Sequence, residues 1–305
     1  MATRGILVPR IDIRSLPDLS KAEVDFHDTS FFLCDPKTCR QLPTPSSLLE
    51  QWPALGSGVI KIEALHLAVK FGNSSDVRPE EAQVMRAIRQ AFPDKDVPVP
   101  EVFGWRKLGD LNFIYMSLVP GQTLRQAWTS LTQADKNSIC SELKRIVAAL
   151  RRITPDRSIR FIGSINGGTV QDRFFKPDYE NGPFLSIKDF NDLLLAAATR
   201  QAPGQDVIPD PYRDFFPDSG GIYFTHGDLT LGNIIVSGEP GSKRIVGIID
   251  WEQSGWYPQY WEYCKLLYGV EYTHEWREDG WAEDIMEPFE DEWAAFAEYS
   301  LWRCP

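Results

Sequence analysis

The run Tyr223-Phe224-Thr225-His226-Gly227-Asp228-Leu229-Thr230-Leu231-Gly232-Asn233-Ile234-Ile235-Val236, followed after a turn-rich stretch by Ile245-Val246-Gly247-Ile248-Ile249-Asp250, decides how this chain is read. The two apolar runs flanking Ser237 to Lys243 predict a β-hairpin. Antiparallel register brings Asn233 and Asp250, which bracket its open end, close together. Asp228 stands five residues before Asn233, in the preceding loop. Taken singly, Asp228 reads as a turn-capping carboxylate and Asn233 as a left-handed turn residue. Taken jointly with Asp250, they form a set of oxygen donors suited to a hard divalent cation.

Upstream, Gly56-Ser57-Gly58 precedes Val59-Ile60-Lys61-Ile62 and then Leu65-His66-Leu67-Ala68-Val69-Lys70-Phe71, which predicts two short strands with a tight connection. Alternation in the second strand puts Leu65, Leu67, Val69 and Phe71 on one face and His66, Ala68 and Lys70 on the other. A lysine snorkelling from an edge strand is the ordinary alternative for Lys70. Pro79 then opens a helix with Glu80 and Glu81 at its positive end and Val84, Met85 and Ile88 at helical spacing. Either acid is within reach of pairing with Lys70.

Val97-Pro98-Val99-Pro100 must be extended, because proline disfavours helix in its predecessor. Phe113 to Val119 reads as an apolar strand that stops at Pro120-Gly121, and Ala134 to Ile153 as an amphipathic helix burying Ile139, Leu143, Ile146, Val147 and Leu150. The predicted organisation is an irregular extension over 1–50 with one helix near Lys21 to His27, a sheet-rich lobe over 51–119, and a mostly helical lobe over 120–305. This is an α+β chain with a small antiparallel sheet in its first lobe.

Composition narrows the chemistry. The net charge of −11 opposes binding to a polyphosphate backbone, so nucleic acid is not an expected partner. No stretch of 18 apolar residues and no signal-like N-terminus is present, which points to a cytoplasmic protein without a membrane partner. Cys34, Cys39, Cys140, Cys264 and Cys304 are scattered, with no zinc spacing. Any metal is therefore expected to be hard and oxygen-bound.

Phosphoryl transfer requires a carboxylate to orient the attacking hydroxyl, oxygen ligands for magnesium, and a cation on the nucleotide phosphates. The paired motifs His226 to Val236 and Ile248-Ile249-Asp250-Trp251-Glu252 resemble the aminoglycoside phosphotransferase and choline kinase superfamily, most of all its uncharacterised filamentous-fungal branch. The resemblance runs from about Gly56 to Tyr268. It implies a two-lobed protein-kinase-like fold that uses ATP and Mg2+ to phosphorylate a hydroxyl on a small molecule. It also implies Asp228 as catalytic base, Asn233 and Asp250 as magnesium ligands, and His226 as a brace of the catalytic loop.

By the same resemblance, Lys70 holds the nucleotide phosphates, Glu81 pairs with it more readily than Glu80, and Ala68 leaves room for adenine. Met116-Ser117-Leu118 becomes the connection presenting backbone groups to the adenine edge. Gly56 and Gly58 form a turn shorter than the kinase glycine loop, and Thr230 stands where many relatives carry histidine.

Glu252, Trp256 and Glu262 are the candidate acceptor contacts, because an aromatic and acidic stretch follows Asp250 and ten acids face the single base Arg277 over 271–292. Such a wall suits an amine-bearing acceptor through ion pairing and cation–π contact; a solvated acidic helix over an aromatic core is the competing reading. Three rivals stay open. A protein kinase fits poorly, with only seven residues between Asp250 and Pro258. Ligation or nucleotidyl transfer, and a non-catalytic pseudokinase scaffold, are the others.

Overall fold

The computed structural model describes residues 9–33, 40–52, 56–155, 160–175, 181–199 and 210–303. Cys34, Cys39 and Cys304 lie outside them, while Cys140 and Cys264 are buried free thiols. No described helix is long and apolar enough to cross a membrane.

A five-stranded antiparallel sheet forms the first lobe, in the order Glu23–Asp25, Val102–Leu108, Leu111–Ser117, Leu67–Asn73, Gly58–Ile62. The expected alternation holds. Leu67, Val69 and Phe71 pack with Phe103, Phe113 and Tyr115 on one face. Ala68, Ile114 and Met116 belong to the core on the other, which the helix Glu80–Ala91 covers with Ala82, Val84, Met85 and Ile88.

The helix expected near Lys21 to His27 is instead the edge strand Glu23–Asp25. Its register sets Glu23 opposite Arg106, whose guanidinium meets Glu23 at 3.0 Å and Asp25 at 2.7 Å. Cross-strand ion pairs and ladder bonds to a partner some eighty residues away override weak local preference. Further back, Arg10–Ile11 pairs in parallel with Thr154–Pro155 of the second lobe.

The second lobe is built around the helix Gln133–Leu150, which starts at a Thr132/Asp135 capping box and buries Ile139, Leu143, Ile146, Val147 and Leu150. The Asp135 carboxylate also accepts the N–H groups of Gly241 and Lys243, at 2.9 and 3.0 Å, tying down the hairpin turn. That hairpin pairs Ile234–Ser237 with Arg244–Ile248. Gly121 leads into Gln122–Thr123, which adds a third strand to it; any Cβ on Gly121 would lie 2.5 Å from the Val236 carbonyl oxygen. An aromatic cluster centred on Trp261 holds the helices Ile187–Thr199, Trp261–Tyr268 and Glu290–Arg303 together.

Candidate active site

The strand Ile222–Thr225 delivers the chain into a loop whose backbone is pinned from below. Gly227 has φ +77° and no room for a side chain, since a Cβ would sit 2.7 Å from the Gln253 carbonyl oxygen. The buried Glu262 carboxylate accepts the N–H of His226 at 2.7 Å and of Gly227 at 3.3 Å. His226 Nδ1 accepts the Asp228 N–H at 3.2 Å, so Nε2 carries the proton donated to the Ile249 carbonyl at 3.1 Å. Burial pushes this imidazole down to about 4 and keeps it neutral, with its ring packed 4.5 Å from Trp251. One histidine thus joins the loop to the end of the hairpin.

Asn233 donates through Nδ2 to both the Asp228 carboxylate and the Asp228 carbonyl, each at 2.9 Å. Burial pushes the Asp228 carboxyl up to about 6, against the pull of Lys265. The Ile249 N–H donates to the Asn233 carbonyl at 2.9 Å, which brings the two ends of the hairpin together as its register required. Asp250 follows with φ +65°, a left-handed conformation that aspartate tolerates and that strained functional turns use.

Lys70 reaches this cluster from the other lobe. Its Nζ lies 2.7 Å from Glu81, 2.6 Å from Asp250 and 3.0 Å from Glu252. Glu81, not Glu80, makes the contact. Burial opposes the charge on Lys70, but the three carboxylates outweigh it and raise its pKa. Burial likewise lifts the Glu81 carboxyl, with Lys70 drawing it back.

One ammonium among three carboxylates leaves surplus negative charge. Oxygens of Glu81, Asp250 and Glu252 lie within 4.8 Å of one another, and the donor set holds oxygen alone. A hard divalent ion such as Mg2+ fits that chemistry.

Between the lobes lies a cavity of about 250 Å³. Ala68, Lys70, Met116, Ser117 and Leu118 line it from the first lobe, and Asn233, Ile235 and Asp250 from the second. Gly56 and Gly58 are not in its wall. Within the connection the Ser117 N–H donates to the Glu101 carbonyl and the Leu118 N–H to the His66 carbonyl, at 2.8 and 2.9 Å. A larger groove of about 560 Å³ carries Lys95, Arg145, Arg152 and Arg244 but none of the residues above.

The three acceptor candidates are placed otherwise than expected. Trp256 is 2% exposed and sits edge-on to Phe224 at 5.3 Å, inside the core. Glu262 is spent on the loop N–H groups. Glu252 is 5% exposed, with one oxygen on Lys70 and the other paired with Arg173. Sequence spacing showed them following Asp250, but not that Phe161 and Phe224 pack over Trp256. The acids of 271–292 are mostly solvated; Glu275 pairs with Lys136 and Glu283 accepts the Tyr263 hydroxyl at 2.7 Å.

Residues missed in the sequence are Arg173, Asp172 and Lys265. They carry no motif, and only the fold brings them within electrostatic reach of Asp228. Thr230 packs against Gly269, where a Cβ would lie 2.3 Å from its methyl group.

The family model described as "Phosphotransferase enzyme family" matches residues 64–299. No curated protein sequence matches the chain. Among solved structures, the GDP complex of wild-type aminoglycoside 2'-phosphotransferase-IIIa is 14% identical, with 85% of this chain and 86% of that chain covered and a TM-score of 0.52. The GDP and kanamycin complex of APH(2")-IIia has the same identity and coverage, with a TM-score of 0.51. At such identity these likenesses speak for a shared two-lobed, protein-kinase-like fold alone. With the family model spanning most of its length, the chain belongs to the phosphotransferase enzyme family.

Proposed function

We propose that this protein transfers the γ-phosphoryl group of ATP to a hydroxyl of a small molecule, with magnesium as cofactor. The observation that carries the reading is the convergence of Lys70, Asp250 and the Asp228–Asn233 pair at the mouth of the interlobe cavity. Ala68, Met116 and Leu118 would give the adenine ring apolar contact, and the backbone of Met116-Ser117-Leu118 would meet its edge. Glu81 orients Lys70 toward the phosphates. Asp228, lifted toward neutrality by burial and held by Asn233, takes the proton of the attacking hydroxyl. Asn233 and Asp250 would hold Mg2+, which when bound offsets charge on the phosphate oxygens.

The surplus of carboxylates favours an acceptor that is neutral or amine-bearing, and buried free thiols suit the cytoplasm. Incubating the protein with ATP, magnesium and a library of hydroxylated amines and metabolites tests the reading. The expected result is an acceptor heavier by one phosphoryl group, with ADP formed in equal amount. A product carrying adenylate, or ATP bound and never consumed by any acceptor, would overturn it.

A further inference from the structure

Among the described residues, two cations pair with the acids that surround the cavity mouth. One is Lys70. The other is Arg173, which pairs with Glu252 from the opposite side and whose side chain is 66% exposed, against 15% for Lys70. Arg173 does not line the nucleotide cavity, and neither does Asp228. Glu252 stands between two cations, Lys70 and Arg173, and Arg173 lies near enough to Asp250 and Asp228 for both carboxylates to support its charge.

The backbone that carries Arg173 is held with unusual care. Its N–H donates to Gln253 Oε1 at 3.0 Å, and the same oxygen receives Lys265 Nζ at 3.3 Å. Lys265 in turn pairs with Asp172 at 3.0 Å, with side-chain exposures of 4% and 0%. Asp172 also accepts the Phe174 N–H at 2.8 Å and the Trp261 indole N–H at 3.0 Å. From the first lobe, Arg78 donates to the carbonyls of Gln171 and Glu252, at 3.1 and 3.3 Å. A buried ion pair is a costly way to gain stability, and fixing one geometry is its better-attested use. Here it immobilises the base of a side chain whose head, paired with Glu252, stays open to solvent.

Resting on the function proposed above, we infer that Arg173 contacts the γ-phosphoryl group of bound ATP and remains with it through transfer. A triphosphate adds about four negative charges to a site that already holds Glu81, Asp228, Asp250 and Glu252, and Lys70 is committed to the inner phosphates. The guanidinium fork of Arg173 can span two oxygens of the group in flight. In that step the acceptor oxygen bonds to the γ-phosphorus and the β,γ-bridging P–O bond breaks. Its electron pair leaves with ADP, and the hydroxyl proton passes to Asp228. Glu252 keeps the guanidinium aimed.

Calorimetric titration of the full chain with the β,γ-imido analogue of ATP and, separately, with ADP, both with magnesium, tests the inference without any acceptor. Arg173→Ala should weaken analogue binding about 10-fold or more and change ADP binding less than about twofold, as loss of one charge-assisted contact to the terminal phosphate predicts. Arg173→Lys should recover part of the difference. Equal losses for both ligands, or none, would overturn the role of Arg173 and leave the enzyme reading standing. Wild-type protein that binds neither nucleotide would overturn both.

Discussion

Lys70 of the first lobe and Asp250 of the second meet at 2.6 Å, across 180 residues of sequence. That pair lines the interlobe cavity, with Glu81 and Glu252 beside it. In the proposed phosphoryl transfer, nucleotide and metal binding would divide it, sending the ammonium to the phosphates and the carboxylate to the cation.

Lys70→Ala should abolish tight nucleotide binding and also destabilise the fold by about 3 kcal/mol, because removing one partner of a buried ionic cluster strands the others. Magnesium chloride alone should raise the melting temperature of this variant more than that of the wild type, since the ammonium no longer competes for the carboxylates. A variant whose melting temperature ignores the metal would rule out these acids as a cation site.

Asp228→Asn should lower turnover by about 10²- to 10⁴-fold, the usual loss on removing a general base, while nucleotide affinity holds. In the wild type, the rate should fall as pH drops below about 6, where the buried carboxyl takes up a proton and can accept no other. Stability moves the opposite way. The folded-state pKa lies above the ordinary 3.8, so this group's favourable contribution is complete below that value and is lost as pH rises through about 6. The amide variant should accordingly be more stable than wild type at pH 7, by about 2 kcal/mol, and not at pH 4. A rate profile flat down to pH 5 would exclude Asp228 as the base.

Glu262→Ala should cost about 1–3 kcal/mol, since it orphans two buried N–H groups at His226 and Gly227. Turnover should fall with it through displacement of Asp228, and Glu262→Gln, which retains an acceptor oxygen, should recover most of both. Denaturant titration and rate measured side by side decide the point; a variant altered in acceptor KM alone would return Glu262 to the substrate wall.

Trp256→Ala should destabilise by about 3–5 kcal/mol as a cavity-forming core substitution, and Trp256→Phe far less. If Trp256→Phe instead kept full stability and raised only the acceptor KM, the indole would belong to the binding site.

The chemistry-bearing groups on the chain's two local motifs were legible before any fold. Asp228, Asn233 and Asp250 stand at the ends of short apolar runs whose hairpin pairing is a nearest-neighbour matter, and Lys70 sits on a strand of plain alternation. Local spacing placed the first lobe's helix and the Gln133–Leu150 helix for the same reason. The edge strand Glu23–Asp25 was not legible, because its partner Arg106 lies some eighty residues on. Nor was the spent state of Glu262, whose helix meets a loop some 35 residues upstream, or the burial of Trp256 against Phe161 and Phe224.

Sequence alone therefore determined which oxygens and which ammonium the chain carries, and that three of the four share one loop and hairpin. Only the tertiary structure decided that Glu81 rather than Glu80 reaches Lys70, and that Arg173 and the Asp172–Lys265 pair lie under the same site. Period and turn chemistry are encoded within a few residues of chain. The meeting of two lobes is set by packing between segments that no local pattern connects.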